Sequence, residues 1–190
     1  MNATPPTELR LLREQPFDLL REMERRTRAA LSGASGEEPA GEEWVGIGIR
    51  LGQERFVVPR DEVREVLMVP PAVTRVPGAK AWVRGLANVR GHLLPISDLR
   101  GFLGAPADSH DRAARVLVLA SPEFPVGLIV DEVYGFRRFM DREHSGDFPA
   151  TTARCDAYLS GAFRRGLEVW PVFQMARLLA SREFQSAAEE

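Results

Sequence analysis

The sequence predicts a mainly β protein built as two small barrels packed together, and three observations carry that prediction. From Trp44 onward apolar residues alternate with polar or small ones at a period of two, the signature of half-buried strands. The strands so marked are short and closely spaced, and no stretch offers the strand–helix–strand spacing of a parallel α/β unit. A loop from Ala105 to Asp111 divides them into two sets, which puts the boundary between the lobes near Ala105.

Ahead of this region, residues 1–15 open with prolines and show no period. Pro16 suits the first turn of a helix, where its missing N–H costs nothing. Phe17, Leu20, Thr27 and Leu31 then share one face, with Leu19 and Met23 flanking it and Arg21, Arg25, Arg26 and Arg28 opposite. The spacing predicts an amphipathic helix over 16–31. The following SGASGEEPAGEE, Ser32 to Glu43, has the composition of a flexible linker. Residues 1–43 thus read as an N-terminal extension, 44–185 as the folded domain and 186–190 as a tail. Two uses fit the helix best, packing back on the domain for stability or docking on a partner or a second copy of the chain; a membrane-surface role suits its arginines less well, because Glu22 and Glu24 dilute their charge.

Within the domain, Val45, Ile47, Ile49 and Leu51 alternate with Gly46, Gly48 and Arg50; the two glycines mark close strand approach or a bulge. Gly52-Gln53 turns the chain into a second strand over 55–59, and a third is expected over 63–69. Leu86 to Arg90 and His92 to Ile96 pair across Arg90-Gly91. Ser97-Asp98 offers an N-cap to the helical turns of Leu99, Phe102 and Leu103, which Gly104 ends. Arg115 to Leu119 is continuously apolar and so buried on both faces. Strands follow over 126–133 and 134–139, then an irregular loop over 140–156. A hairpin over 158–173 turns at Arg165-Gly166, and a closing helix runs over 174–184.

Composition excludes several function classes. A formal charge of -2 gives no basic footprint for nucleic acid, and the aromatic residues sit inside apolar runs. Cys155 is the only cysteine, so no intramolecular disulfide forms and a reducing, cytoplasmic setting is expected. The longest apolar runs, Val116 to Ala120 and Val126 to Val130, are too short to span a bilayer, and MNATPPTELR is no signal peptide. His92, His110 and His144 are scattered without metal-ligand spacing and read as surface or turn residues. GLANVRG lacks the Lys-Ser/Thr of a phosphate cradle. Asp131 and Glu132 are adjacent on a strand and cannot act together as acid and base; Asp131 reads as a solvated strand end or as one carboxylate of an interface. No catalytic residue, cofactor or metal is expected. An arginine held at a turn, Arg90 with Asn88 beside it, has the layout of a protein contact surface.

The segment RGLANVRGHLLPISDL, Arg84 to Leu99, preceded by EVREVL at Glu62 to Leu67 and followed by GLIVDEV at Gly127 to Val133, resembles the CheW-like domain of bacterial chemosensory arrays. YLSGAFRRGLEVWPVFQMARLL, Tyr158 to Leu179, fits the end of that domain, and the likeness runs from about Trp44 to Arg182. The resemblance implies two packed five-stranded SH3-like barrels with a terminal helix. It also implies a scaffold that bridges the cytoplasmic tips of methyl-accepting chemoreceptors to the regulatory domain of a CheA-like histidine kinase. The family's binding surfaces lie near the arginine of the NxRG turn and an E-V pair of the third strand. Here these are Arg90 and Gly91 with Asn88, and Glu65 with Val66. A purely structural role remains open for Arg90, bridging the barrels, and for Val66, in the core. PFDLLREMERRTR, WVGIGIRLG and AWVRGLANVRG resemble the branch that serves type IV pili and twitching motility, with a flagellar-type coupling protein as the alternative. The expected location is the cytoplasm, with recruitment to membrane-associated polar receptor arrays. An enzyme or small-ligand protein on the same barrels would need convergent titratable groups, which no segment supplies.

Overall fold

Eleven strands and three short helices account for most of residues 42–105, 111–121 and 125–187, which the computed structural model describes. The expected helix over 16–31, residues 32–41 of the expected linker and His110 lie outside the described residues, while Glu43, the last residue of that linker, already belongs to a strand. The strands are β1 (Glu43–Leu51), β2 (Glu54–Pro59), β3 (Val63–Met68), β4 (Val83–Val89), β5 (His92–Asp98), β6 (Arg115–Leu119), β7 (Gly127–Val130), β8 (Glu132–Met140), β9 (His144–Ser145), β10 (Leu159–Arg165) and β11 (Glu168–Phe173). The helices are α1 (Leu99–Phe102), α2 (Met175–Ala180) and α3 (Arg182–Gln185).

Two mixed sheets result. One runs β8-β1-β2-β11-β10-β9 and the other β3-β6-β7-β5-β4. The expected division near residue 105 does not separate them. The five-stranded sheet is built from 63–130 and passes through that point, while β1 and β2 join the six-stranded sheet with β8–β11. The reason is two parallel pairings between distant segments, Ile96 opposite Gly127 and Val57 opposite Val172. The sixth strand is β9, two residues inside the stretch expected to be irregular, paired with Ala162 and Phe163 of β10.

The alternation along each strand sorts side chains between cores. In β6, Val116 and Val118 point into a cluster belonging to the five-stranded sheet, with Ala87, Leu94, Ile96 and Ile129. Leu117 and Leu119 point the other way, into a larger core that also takes Ile47, Ile49, Leu51, Phe56 and Val58 from the six-stranded sheet. Val57, Phe139, Phe163, Trp170 and Val172 form the third cluster, the six-stranded sheet's own. Each of these larger side chains contributes about 1.5–3 kcal/mol on burial, so the continuously apolar β6 stabilises two cores at once.

Polar groups finish the ends. Asp98 caps α1, its Oδ1 accepting the Gly101 N–H at 3.1 Å. Glu62, at the entry to β3, accepts the Met175 N–H at the start of α2 and ties the C-terminal segment to the sheet. The expected closing helix is two helices, because the Ser181 hydroxyl donates to the Leu178 carbonyl and accepts the Phe184 N–H, ending one helix and capping the next. Phe184 then stacks on Trp82 at 5.2 Å between centroids. Near β9, Glu143 receives two bonds from the Arg165 guanidinium, at 2.7 and 2.8 Å, which fixes the β10–β11 hairpin to the preceding turn.

Three outcomes follow from this packing. Gly85 has φ +131°, and a Cβ there would lie 2.1 Å from the Thr74 carbonyl oxygen, where the segment after β3 bridges to Leu86. Gly85→Ala therefore costs on the order of 3 kcal/mol, read as a fall in the denaturant midpoint. Burial pushes the Cys155 thiol up to about 11, so a thiol reagent leaves it unmodified in the native protein and reacts with it fully in denaturant. The Arg165 guanidinium lowers the Glu143 carboxyl from 4.5 to about 2. A depressed folded-state value means that the contact's contribution is present above the unfolded value and disappears as pH falls towards 2. A carboxyl NMR titration should show this, and Arg165→Gln should raise Glu143 towards the ordinary range, with the Met140 N–H still holding it below.

Candidate functional site

The β4–β5 connection is a two-residue turn. Val89 pairs with His92, and the residues between them, Arg90 and Gly91, have φ of 52° and 85°. Positive φ at both positions is the type I′ geometry that suits the twist of a hairpin. Glycine adopts it freely; for arginine it costs about 1 kcal/mol. The Asn88 side chain holds the turn, its Oδ1 accepting the Gly91 N–H at 2.9 Å.

From this turn the Arg90 side chain, 74% exposed, reaches β3 and places Nη1 2.9 Å from Glu65 Oε2. Glu65 follows a register shift in the β3–β6 pairing, between Val63 and Glu65. An ion pair this open contributes at most about 1 kcal/mol to stability. Its effect is to orient a guanidinium that still has donors to spare. Arg90 therefore links two parts of one sheet and does not bridge the two lobes.

Beside the pair lies an open groove of about 480 Å³ lined by Arg64, Glu65, Val89, Arg90, His92 and Leu93, among others. Leu93 is 67% exposed, and on β3 Val66 and Met68 are also exposed, at 38% and 75%. Val66 is thus a surface residue and not a core one. The structure gathers Glu65, Asn88, Arg90 and Gly91 around one turn, with Val66 next along β3. Leu93 went unnoticed in the sequence because it sits in an apolar run. Strand parity offered the signal for Leu93: if Leu94 and Ile96 face inward, Leu93 faces out.

Asp131 is placed elsewhere. It is 7% exposed and lies at the junction of the lobes. Its carboxylate accepts the Gly52 N–H at 2.6 Å and the Arg100 Nη1–H at 3.1 Å, joining the β1–β2 turn to α1. Glu132, the next residue, instead pairs with Arg50 at 3.0 Å, and that contact raises the Arg50 guanidinium above its ordinary range. Asp131 is therefore neither a solvated strand end nor a neighbour of Arg90. His92 and His144 are exposed, the latter with its ring 5.1 Å from that of Phe163. Among the described residues no three His, Cys, Asp or Glu side chains converge as metal ligands, and no helix is long and apolar enough to cross a membrane.

Comparison with known proteins agrees with this architecture. The family model described as the CheW-like domain matches residues 46–183. Protein PilI of Pseudomonas aeruginosa is 40% identical over 175 residues, which cover 92% of this chain and 97% of PilI. The chemotaxis protein CheW of Klebsiella aerogenes is 28% identical over 135 residues, 70% of this chain and 80% of that protein. The crystal structure of the scaffolding protein TtCheW from Thermoanaerobacter tengcongensis shares the fold, with a TM-score of 0.65 at 20% identity over 75% of this chain and 96% of its own. With its family model spanning most of the chain and a 40% identical relative matched nearly end to end, this protein belongs to the CheW-like domain family.

Proposed function

We propose that the protein is a non-enzymatic adaptor that couples methyl-accepting chemoreceptors to a CheA-like histidine kinase, in the chemosensory system controlling type IV pilus twitching motility. The observation that carries this is the Arg90 turn: an arginine sits where glycine or asparagine would cost less, its side chain exposed and aimed by Glu65. Backbone strain held in place around an exposed charge points to recognition. A guanidinium so placed can fork onto a carboxylate or backbone carbonyls of a receptor or kinase surface. Leu93, exposed in the same groove, supplies apolar area beside it. The 40% identity to PilI supports the pilus branch.

In this reading Glu65, Val66, Asn88, Arg90 and Gly91 form the contact surface, with Asn88 and Gly91 shaping the turn that presents Arg90. Asp131 contributes through the joint between lobes and not by touching a partner. The adaptor works in the cytoplasm and is held at the membrane only through the receptors it binds.

Affinity capture of the tagged full-length protein from its own cells, followed by mass spectrometry, tests the proposal. The wild type should bring down a CheA-like kinase and a methyl-accepting receptor, and finding neither would end the adaptor reading. Arg90→Glu should weaken binding by roughly 30-fold, the equivalent of a 2 kcal/mol hot spot, while its melting temperature falls little because the lost ion pair is exposed. Asp131→Ala should do the reverse. It strands Arg100 and the Gly52 N–H and lowers stability by about 2 kcal/mol, while the folded fraction still captures the same proteins. Undiminished capture by Arg90→Glu would remove Arg90 from the surface.

A further inference from the structure

On the other lobe a second arginine is held in an unusual way. Arg137 of β8 has its guanidinium carbon 5.3 Å from the centre of the Trp170 ring and 5.9 Å from that of Tyr134. Arg55 lies against the same Tyr134 ring at 5.7 Å. The backbone beneath makes room for the stack. At Gly48 of β1 a Cβ would come within 3.2 Å of both Arg137 Cγ and the Trp170 ring and within 3.3 Å of Tyr134 Cβ. The β1–β8 register shifts at the same place, between Gly48 and Ile49. The glycine and the bulge expected from the sequence are what allow Tyr134, Arg137 and Trp170 to pack together.

Arg137 lacks a counter-charge among the described residues, whereas Glu168 meets both Arg55 and the Trp170 indole, whose Nε1–H donates to it at 3.4 Å. Arg50, Arg55, Arg90, Arg100, Arg138 and Arg165 each have a carboxylate within 3.5 Å. Arg137 has none among the described residues, and its enclosed Nε–H has no acceptor. An arginine in a strand of a paired sheet is usually either free in solvent or matched to an acid. Here it is half-buried, immobilised against two rings, and unmatched, and each such group in a native structure calls for an explanation. The rings attract the cation, and the outer Nη–H donors, beyond the enclosed Nε–H, fit a carboxylate. Arg55, whose contact with Glu168 is long at 3.5 Å, adds positive charge at the same Tyr134 ring.

We propose that the Arg137–Tyr134–Arg55 stack is a second docking point, on the opposite lobe from Arg90, for an acidic segment of a protein partner, with a Glu or Asp carboxylate engaging Arg137. Charge complementarity selects this occupant: two guanidiniums lie against one aromatic ring, and among the described residues the only carboxylate in contact with either belongs to Glu168.

Hexaglutamate is the probe. It is titrated into the full-length protein carrying isotope-labelled arginine, with the Arg137 Nε–H resonance and Trp170 fluorescence as readouts. The Arg137 resonance should shift saturably, and the response should weaken as salt rises from about 50 to about 500 mM. Arg137→Gln should bind on the order of tenfold more weakly. Arg137→Lys keeps the charge but loses the planar fork, and should bind several-fold more weakly; it carries the comparison if the glutamine variant does not fold. An unmoved Arg137 resonance, or equal affinity in the Arg137 variants and wild type, would overturn the proposal. Neither result bears on capture of receptor and kinase through Arg90, so the two readings fail separately.

Discussion

Everything else in this fold depends on one apolar contact, the meeting of the two sheets. Leu117, Leu119, Leu128 and Val130 from the five-stranded sheet pack with Ile47, Ile49, Leu51, Phe56 and Val58 from the six-stranded one, all of them at most 5% exposed. Neither sheet has a large core of its own: the five-stranded sheet encloses mainly valine, leucine, isoleucine and alanine, the other chiefly aromatic side chains and valine. By burying its second face against its neighbour, each sheet roughly doubles the apolar area it removes from water. The lobes are therefore one cooperative body, and α1, α2 and α3 add Leu99, Phe102, Met175, Leu178 and Phe184 to the same shared core.

A body fixed this way leaves its surfaces free to serve as contacts. The ion pairs illustrate the division. Asp131 and Arg100 sit at the joint and do structural work, since removing either leaves partly buried groups without partners. Arg90 and Glu65 are exposed enough for solvent to cancel most of their attraction, so what they provide is direction. The tight turn beneath Arg90 has the same effect on the backbone. In the proposed role, a turn fixed in advance would spare the entropy of ordering a loose surface on binding.

Much of this was legible in the sequence, for reasons that also mark the limit. Period-two alternation located most strands, and the continuous apolar run of β6 correctly announced burial on both faces. Turn chemistry found the Arg90-Gly91 hairpin and the Asp98 cap, both of which depend on a few adjacent residues. What escaped depends on residues far apart. Nothing local in Ile96 or Val57 says that each lies beside a parallel strand whose paired residue is Gly127 or Val172, so the boundary at Ala105 followed a loop while the sheets did not. Asp131 had two readings because a carboxylate at a strand end looks the same whether it faces water or Arg100. Leu93 and Arg137 escaped for a related reason. An outward leucine in HLLPI and an arginine in GFRRFM reveal their roles only when the neighbouring strands are in place.

The nesting of one sheet inside the other in chain order has a consequence for biosynthesis. The five-stranded sheet is complete once residue 130 has left the ribosome, whereas β1 and β2, although made first, must wait for β8, β10 and β11. Pairing Val57 with Val172 closes a loop of more than a hundred residues, a contact of high order that forms slowly. During that interval the nascent chain carries a finished inner sheet whose outer face, with Leu117 and Leu128, lacks its cover. It also carries an unfinished strand pair, β1–β2, with open edges. The last strand translated thus closes the first strand pair into the structure, and a chain truncated before β11 would be left sticky at the face that joins the two sheets.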